Sequence, residues 1–218
     1  MSTIVERYNK INSYINESGN KGSINIVAVS KTFSFDYIKP LIDYGHKHFG
    51  ENKVQEAQLK WKSFKENNAA VKLHMVGKLQ SNKAKKAVEL FDFIHSLDSE
   101  KLAASLSDSE KKLSKKLKYF IQVNIGLEKQ KSGISPSSLN KFYNYCIKEK
   151  KLDVIGLMCI PPNDGNTDKH FKTLSELSAS LNLNDMSMGM SNDYREALNY
   201  GSTFLRIGSS IFGERSKG

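Results

Sequence analysis

The sequence predicts a single (β/α)₈ barrel of the TIM type, preceded by one extra helix. Eight short apolar segments, each with the β-branched or alternating pattern of a buried strand, are spaced along the 218 residues. Segments with helical spacing of apolar residues lie between them, an order that gives parallel strands joined by right-handed crossovers. No low-complexity linker or charge block divides the chain, so we expect residues 1–218 to form one α/β domain.

The predicted strands are short and mostly apolar. They are 24–30, 46–50, 71–77, 91–97, 118–125, 153–160, 185–189 and 203–208. Eight is the number of strands that closes this type of barrel. The alternative is an open doubly wound sheet, which usually carries a glycine-rich phosphate turn after its first strand. Here that position is SKTFS, without glycine, which favours the barrel.

The predicted helices begin with an amphipathic segment at the N-terminus. Its apolar face is formed by Ile4, Tyr8, Ile11 and Ile15. Further helices are predicted at 51–66, 98–107, 136–150, 167–181 and 192–199, with Asp98, Ser135 and Ser191 as N-terminal caps. We expect the first helix to pack on the body of the barrel.

Composition and segment lengths indicate a soluble protein. Apolar residues make up 39% of the chain and charged residues 26%. No stretch approaches the roughly 18 apolar residues needed to span a bilayer, and the N-terminus lacks the features of a signal peptide. We therefore expect a cytoplasmic protein without membrane association. Cys146 and Cys159 are too few for a disulfide framework and are interpreted as buried thiols.

The formal net charge of +10 suits an anionic partner, either a nucleic acid, an acidic membrane surface or a phosphorylated small molecule. The densest lysine runs, at 82–90 and 109–120, carry apolar residues at helical intervals. Neither run has aromatic residues spaced for base stacking. We interpret them as solvated helix faces, with weak nucleic-acid binding as the less favoured alternative.

Lys31 directly follows the first predicted strand, in NIVAVSKT. Catalytic and binding groups of (β/α)₈ barrels lie at the C-terminal ends of the strands, so we expect Lys31 to face a shared pocket. A neutral lysine in a partly dry pocket can attack a carbonyl and form a Schiff base, as in aldolases and pyridoxal-phosphate proteins. The alternative is a lysine whose tip reaches solvent at the barrel rim.

Small residues and hydroxyl groups follow the last two predicted strands. Loops after strands seven and eight usually hold a phosphate in this fold. Ser191, Gly208 and Ser209 are therefore predicted to bind one phosphate group from two sides. Arg206 lies just before Gly208, and an inward-pointing arginine needs a ligand such as a pyridine nitrogen, or a structural ion pair.

His46 and His48 fall on one face of the second predicted strand, a spacing that is compatible with metal binding. The rest of a ligand set is not evident in the sequence. We therefore interpret both as histidines that hydrogen-bond to neighbouring groups, and we expect no metal.

Several motifs together resemble the pyridoxal-phosphate homeostasis proteins, a family of single-domain barrels similar to the N-terminal domain of alanine racemase. They are VAVSKT at 27–32, FGENKVQEA at 49–57, HMVGKLQSNK at 74–83, HSLD at 95–98, VNIGLEKQKSG at 123–133, GLMCIPP at 156–162, and SMGMSNDYREAL through GSTFLRIGSSIFGER at 187–215. Their order and spacing are more specific than any single motif. Lys53 and Phe33 depart from the family pattern and affect only rim contacts.

The resemblance implies that the cofactor is pyridoxal 5'-phosphate, held as a Schiff base on Lys31. It also implies that Arg206 faces the pyridine nitrogen. The remaining implied cofactor-binding residues are Ser191, Gly208 and Ser209 at the phosphate and Asn52, Met158 and Met188 near the ring.

The implied function is a carrier or regulator of the intracellular supply of pyridoxal phosphate, without firm catalytic turnover. An arginine at the pyridine nitrogen disfavours ring protonation and makes the cofactor a weaker electron sink. In the alanine racemase pattern a second base comes from a separate domain, which we do not expect here because the sequence stops at Gly218. Implied partners of the monomer are amino acids and apo-enzymes that use the cofactor. The alternatives are a small amino-acid racemase and a Schiff-base aldolase without cofactor.

Overall fold

The computed structural model describes residues 2–19, 23–128 and 130–214. Its eight strands form a closed barrel in chain order. All neighbouring strands are parallel, and the eighth pairs with the first. The predicted fold class is therefore confirmed. Lys129 and Arg215, which belong to two of the motifs above, lie outside the described residues.

Each strand overlaps a segment predicted from its apolar pattern. The strands are β1 (Asn25–Val29), β2 (His48–Glu51), β3 (Lys72–Met75), β4 (Phe93–Leu97), β5 (Lys118–Gln122), β6 (Asp153–Met158), β7 (Asp185–Met190) and β8 (Phe204–Ile207). Their C-terminal ends all lie at one mouth of the barrel, because the strands are parallel.

The helices surround the barrel. They are α1 (Thr3–Glu17), α2 (Phe35–Asp43), α3 (Val54–Asn67), α4 (Ala84–Leu90), α5 (Glu100–Leu113), α6 (Leu139–Asn144), α7 (Thr167–Ser180), α8 (Tyr194–Asn199) and α9 (Ser209–Phe212). Short 3₁₀ turns occur at Ser81–Lys83 and Pro136–Ser138, and α6 continues into a π-helical turn at Tyr145–Glu149. Among the described residues, no helix is long and apolar enough to cross a membrane.

The extra N-terminal helix packs as its pattern predicted. Ser2 caps α1, because its side chain accepts a hydrogen bond from the backbone N–H of Val5. Ile4, Ile11 and Ile15 are buried, and the helix contacts α2 and α9. Burial of this apolar stripe fixes α1 beside α2 and α9.

Two of the predicted helix caps are wrong. Ser99 rather than Asp98 caps α5, because the Ser99 hydroxyl accepts a hydrogen bond from the N–H of Leu102. Ser191 does not cap α8. The Asp193 carboxylate accepts a hydrogen bond from the N–H of Met190, which stabilises a turn before the helix, and α8 begins only at Tyr194. Ser135 does precede its helical turn, but its hydroxyl bonds to other serine hydroxyls rather than to the backbone.

The barrel interior has its own apolar core, separate from the layer between barrel and helices. Its buried members are Val27, Phe93, Phe120, Met158 and Phe204. They come from strands that are not all neighbours, so they meet only inside the barrel. Polar side chains occupy the rest of the interior and are described below.

Candidate functional site

The turn after β1 presents Lys31 at the C-terminal mouth of the barrel. Lys31 is half-buried, and the N–H of Phe33 closes the turn on the carbonyl of Ser30 at 3.2 Å. Thr32 has a φ of 71°, a left-handed conformation that β-branched residues rarely adopt. Such a conformation costs about 1–3 kcal/mol and persists only where the surrounding structure imposes it. The turn is therefore held in a strained shape at the predicted site.

A buried carboxylate holds this turn from below. Glu51, at the end of β2, is fully buried, and its Oε1 accepts hydrogen bonds from Ser30 Oγ (2.8 Å), Lys60 Nζ (2.8 Å) and Trp61 Nε1 (2.9 Å). Lys60 also donates to the Ser30 carbonyl at 2.8 Å. Ser30 is thus fixed through both its side chain and its backbone, which sets the position of Lys31. The sequence did not indicate this role of Glu51, although the residue lies inside the motif FGENKVQEA.

Asn52, the next residue, offers an unused polar atom. Its Oδ1 is buried and has no hydrogen-bond partner among the described residues. Gly77, in the loop after β3, packs so closely that a Cβ there would lie 2.8 Å from Asn52 Cα. An unpaired buried acceptor costs about 1–3 kcal/mol, so this atom is a candidate ligand contact.

Arg206 lies inside the barrel on β8 with 5% of its surface exposed. Its Nη1 donates to the carbonyl (2.6 Å) and hydroxyl (2.7 Å) of Ser187, and its Nη2 donates to the carbonyl of Cys159 (2.8 Å). Burial lowers the pKa of Arg206, and the nearby Cys159 and Asp193 oppose this effect. None of the ion pairs formed within residues 2–19, 23–128 and 130–214 includes Arg206. The guanidinium therefore has neutral partners and keeps N–H donors for a ligand.

Ser191 and the start of α9 form a cluster of small polar groups. The Ser191 hydroxyl accepts hydrogen bonds from the backbone N–H groups of Gly208 and Ser210, each at 3.3 Å. The Ser210 hydroxyl donates to the Ser191 carbonyl at 3.4 Å, whereas Ser209 is exposed. The structure thus brings together Ser191 and Gly208, as expected from the sequence. It adds Ser210, which was not predicted from the sequence because the turn that aligns it with Ser191 has no sequence signature.

The two predicted methionines lie on opposite faces of the barrel wall. Met158 belongs to the interior core, and Met188 belongs to the core between barrel and helices. Side chains alternate along a strand, so Met188 points outward when its neighbour Ser187 points inward to Arg206. The structure therefore does not bring Met188 to the other predicted site residues.

The two cysteines are buried thiols, and His46 contacts the backbone of His48. Both thiols are buried, and burial raises the pKa of each to about 12. His46 Nε2 lies 2.8 Å from the carbonyl of His48, and burial lowers the pKa of His46 to about 4. Within the described ranges no group of His, Cys, Asp and Glu residues could hold a metal ion.

Comparison with known proteins places this barrel in a class. Residues 6–216 match the family model described as "Alanine racemase, N-terminal domain". This closed barrel, with a lysine after β1 and a serine-rich turn after β8, is therefore a barrel of the alanine racemase N-terminal type.

Closer relatives carry one name. The chain is 38% identical over 205 residues to the pyridoxal phosphate homeostasis protein of Vibrio cholerae, covering 89% of this chain and 87% of the relative. It is 33% identical over 224 residues to that of Aquifex aeolicus, covering 99% and 96%. The chain belongs to the pyridoxal phosphate homeostasis protein family.

A solved structure of similar extent agrees with this. PipY of Synechococcus elongatus, described as a COG0325 family member, matches without PLP at a TM-score of 0.87 and 34% identity. The same protein with PLP bound matches at a TM-score of 0.84 and 33% identity. Each alignment covers 96% of this chain and 100% of PipY.

Proposed function

We propose that this protein binds pyridoxal 5'-phosphate through a Schiff base on Lys31 and serves as a carrier or regulator of its supply. The observation that carries the proposal is the Ser191, Gly208 and Ser210 cluster at the same barrel mouth as Lys31. The relatives' shared name and the PLP-bound form of PipY support the choice of cofactor.

The residues present fit this cofactor. The N–H groups of Gly208 and Ser210 now bond to the Ser191 hydroxyl, and they are donors of the kind that phosphate oxygens accept. Arg206 supplies donors for a pyridine nitrogen, and Asn52 Oδ1 has no hydrogen-bond partner in the part of the chain that the structure describes. When bound, the cofactor supplies an aldehyde that condenses with a lysine amine and an aromatic ring that delocalises negative charge.

Arg206 also supports a non-catalytic role. A fixed cation opposite the pyridine nitrogen favours the unprotonated ring, which accepts less charge from a carbanion. Tyr37, the first tyrosine after Lys31, has its hydroxyl engaged with the carbonyl of Phe212 at 2.7 Å. We therefore propose a cytoplasmic monomer that exchanges cofactor with apo-enzymes and binds amino acids, rather than a racemase.

Substitution of Lys31 tests the attachment. The variant Lys31→Ala should lose the visible absorption of the cofactor-loaded protein and keep its fold, because a residue at the barrel mouth contributes little to the core. Lys39→Ala is the matched control, since Lys39 is exposed on α2 and pairs with Asp43. Borohydride reduction and peptide mapping locate the label, and a label on any other lysine would refute the proposal.

Hydrogen exchange tests the absence of turnover. The loaded protein is incubated with L-alanine in deuterated water, and slow incorporation of deuterium at the α-carbon is expected. Proton abstraction on one face and return on the other require two positioned groups, each worth about 10²–10⁴-fold. Appearance of deuterated D-alanine at roughly 1 s⁻¹ or faster would establish a racemase instead.

A further inference from the structure

A continuous chain of hydrogen-bonded side chains crosses the barrel interior and ends on Arg206. His48 Nδ1 lies 3.0 Å from His74 Nε2, and His74 Nδ1 lies 2.9 Å from His95 Nε2. His95 Nδ1 lies 2.7 Å from the Ser187 hydroxyl, which accepts a hydrogen bond from Arg206 Nη1 at 2.7 Å. We call His48, His74 and His95 the histidine relay.

The relay runs from one end of the barrel toward the other. His48 is the first residue of β2 and is partly exposed, whereas His74 and His95 lie farther along β3 and β4 and are fully buried. The His74 ring stacks on Phe93 at 4.2 Å between centroids, and the His95 ring stacks on Phe120 at 4.4 Å. Both nitrogens of each buried ring are therefore used within the relay, between apolar walls.

The charged groups around the relay oppose its protonation. Burial lowers the pKa of His74 and His95 well below the usual value, with further lowering by His95, His48, His46 and Lys65 at His74 and by Arg206 and His48 at His95. Burial also lowers the pKa of His48, where Lys72 and Lys47 act in the same direction and Asp92 opposes them. The lowered pKa values favour the neutral form of each ring at pH 7, in which the ring carries one N–H hydrogen.

Arg206 determines which nitrogen carries that hydrogen. A guanidinium only donates, so the Ser187 oxygen must accept from Arg206, and the single hydroxyl hydrogen remains for His95 Nδ1. His95 then carries its hydrogen on Nε2 and donates to His74 Nδ1. By the same reasoning, His74 donates from Nε2 to His48 Nδ1, and His48 also carries its hydrogen on Nε2.

The opposite arrangement is unfavourable. His95 and Arg206 would both donate to the Ser187 oxygen, and the described contacts of Ser187 include no other acceptor for its hydroxyl hydrogen. A buried donor without an acceptor is costly. The five side chains therefore have one consistent set of hydrogen positions.

We propose that the histidine relay is a set of positioning residues for Arg206, holding the Ser187 hydroxyl as a hydrogen-bond acceptor for the guanidinium. His95 accepts the hydrogen bond that the Ser187 hydroxyl donates, which leaves an oxygen lone pair directed toward Arg206. The relay thereby fixes the position of the guanidinium. The statement about hydrogen positions is independent of any ligand. Its consequence for cofactor binding rests on the proposed function.

The hydrogen positions are tested on the protein without cofactor. Long-range ¹H–¹⁵N correlation spectra of ¹⁵N-histidine-labelled protein at pH 7.5 distinguish the two tautomers and the charged form. We expect all three relay histidines to be neutral with hydrogen on Nε2. A charged ring, or hydrogen on Nδ1 of any of the three, would overturn the proposal.

A pair of serine variants then tests the link to Arg206. Ser187→Ala removes the group that joins the relay to the guanidinium, so the single tautomer should give way to a mixture. Ser96→Ala is the control, because Ser96 is buried on the same strand as His95 and its hydroxyl has no partner among the described residues. Unchanged tautomers in Ser187→Ala would refute the coupling.

Cofactor affinity of the same pair tests positioning. Ser187→Ala should bind pyridoxal phosphate about tenfold or more weakly than Ser96→Ala, the loss typical of a hydrogen bond to a charged group. Equal affinities would refute the positioning role. If the tautomers are as expected but the parent protein binds no pyridoxal phosphate, the proposed function fails while the relay geometry stands.

Discussion

At the scale of single residues, the Ser191 hydroxyl is the most direct test of the phosphate site. It accepts hydrogen bonds from two backbone N–H groups, which are the donors that the proposed phosphate site requires. Ser191→Ala should weaken binding of pyridoxal phosphate by about 1.5–3 kcal/mol, the range for hydrogen bonds to charged groups, and should affect unphosphorylated pyridoxal less. Dissociation constants for both ligands provide the measurement.

Two further serines complete this experiment. Ser209→Ala tests the hydroxyl expected from the sequence, and Ser210→Ala tests the one that bonds to Ser191. Ser180→Ala is a control on the exposed face of α7 and should change neither affinity. Equal losses for pyridoxal and its phosphate in Ser191→Ala would contradict the assignment.

Thr32 provides a second prediction, in which a substitution raises the stability of the protein but weakens cofactor attachment. Replacement by glycine relieves the left-handed strain, so Thr32→Gly should be more stable by about 1 kcal/mol, or about 2–4 °C in the midpoint of thermal unfolding. The same change should weaken cofactor attachment, because the turn that orients Lys31 becomes more flexible. Ser114→Gly, at another left-handed residue far along the chain, should stabilise without affecting attachment.

Strand-end positions explain which site residues the sequence could indicate. Lys31 and Arg206 follow from the rule that barrel sites lie at the C-terminal ends of strands. Ser210 depends on the shape of the turn after β8, which has no sequence signature. The relay histidines depend on which side chains meet across the barrel, and that pairing is set by strand register, which a single sequence does not encode locally. The family resemblance implied Met188 without specifying the strand face on which it lies.

At the scale of elements, Glu51 joins β1, β2 and α3 in one buried network. Glu51→Gln leaves the largely buried Lys60 ammonium without its carboxylate and should lower the free energy of unfolding by about 3–5 kcal/mol. It should also weaken cofactor attachment, because a neutral amide oxygen holds Ser30 and Lys60 next to Lys31 more weakly than a carboxylate does. Urea unfolding and cofactor titration measure the two effects.

Glu110 on α5 is the matched control. It is also a buried carboxylate, bonded to the N–H of Leu117 and the hydroxyl of Tyr119, but these lie at the N-terminal end of β5, away from the Lys31 turn. Glu110→Gln should lower stability and leave cofactor affinity unchanged. Equal loss of affinity in both variants would show that the effect of Glu51→Gln is general destabilisation.

The strands were predictable to within a few residues, whereas α2 and α9 were not among the predicted helices. All eight strands appear where apolar runs occur, because buried parallel strands require continuous apolar segments. Helix starts were less predictable, as Ser99 and Asp193 show, because neighbouring polar residues compete for the same cap position. The π-helical turn at Tyr145–Glu149 was not distinguished from the rest of the helix predicted at 136–150.

At the scale of the whole molecule, the buried histidines make stability depend on pH. Burial lowers the pKa of His46, His48, His74 and His95 in the folded state, to about 4 for His46, whereas unfolded histidine titrates near 6.5. Above about pH 6.5 both states are uncharged at these sites. As pH falls below it the unfolded state binds protons that the folded state does not, so stability decreases.

The expected slope is about 1.4 kcal/mol per pH unit for each histidine that remains neutral in the folded protein. Urea unfolding at pH 8, 6.5 and 5.5 should show little change across the first interval and a marked loss across the second. His46→Gln should reduce the slope by about the contribution of one histidine. Constant stability between pH 6.5 and 5.5 would contradict the buried neutral state.

Closure of the barrel has a consequence for the order of biosynthesis. β1 pairs with β8 along four residue pairs, from Asn25 with Phe204 to Ala28 with Ile207. The strand that precedes Lys31 is therefore joined to the strand that carries Arg206 only after the ribosome has made that last strand, and this long-range pairing is a slow type of contact to form. A nascent chain that has not reached β8 carries Lys31 but neither Arg206 nor the serine-rich turn. Under the proposed function, we expect a stalled or truncated product that lacks the final strand not to acquire the ligand.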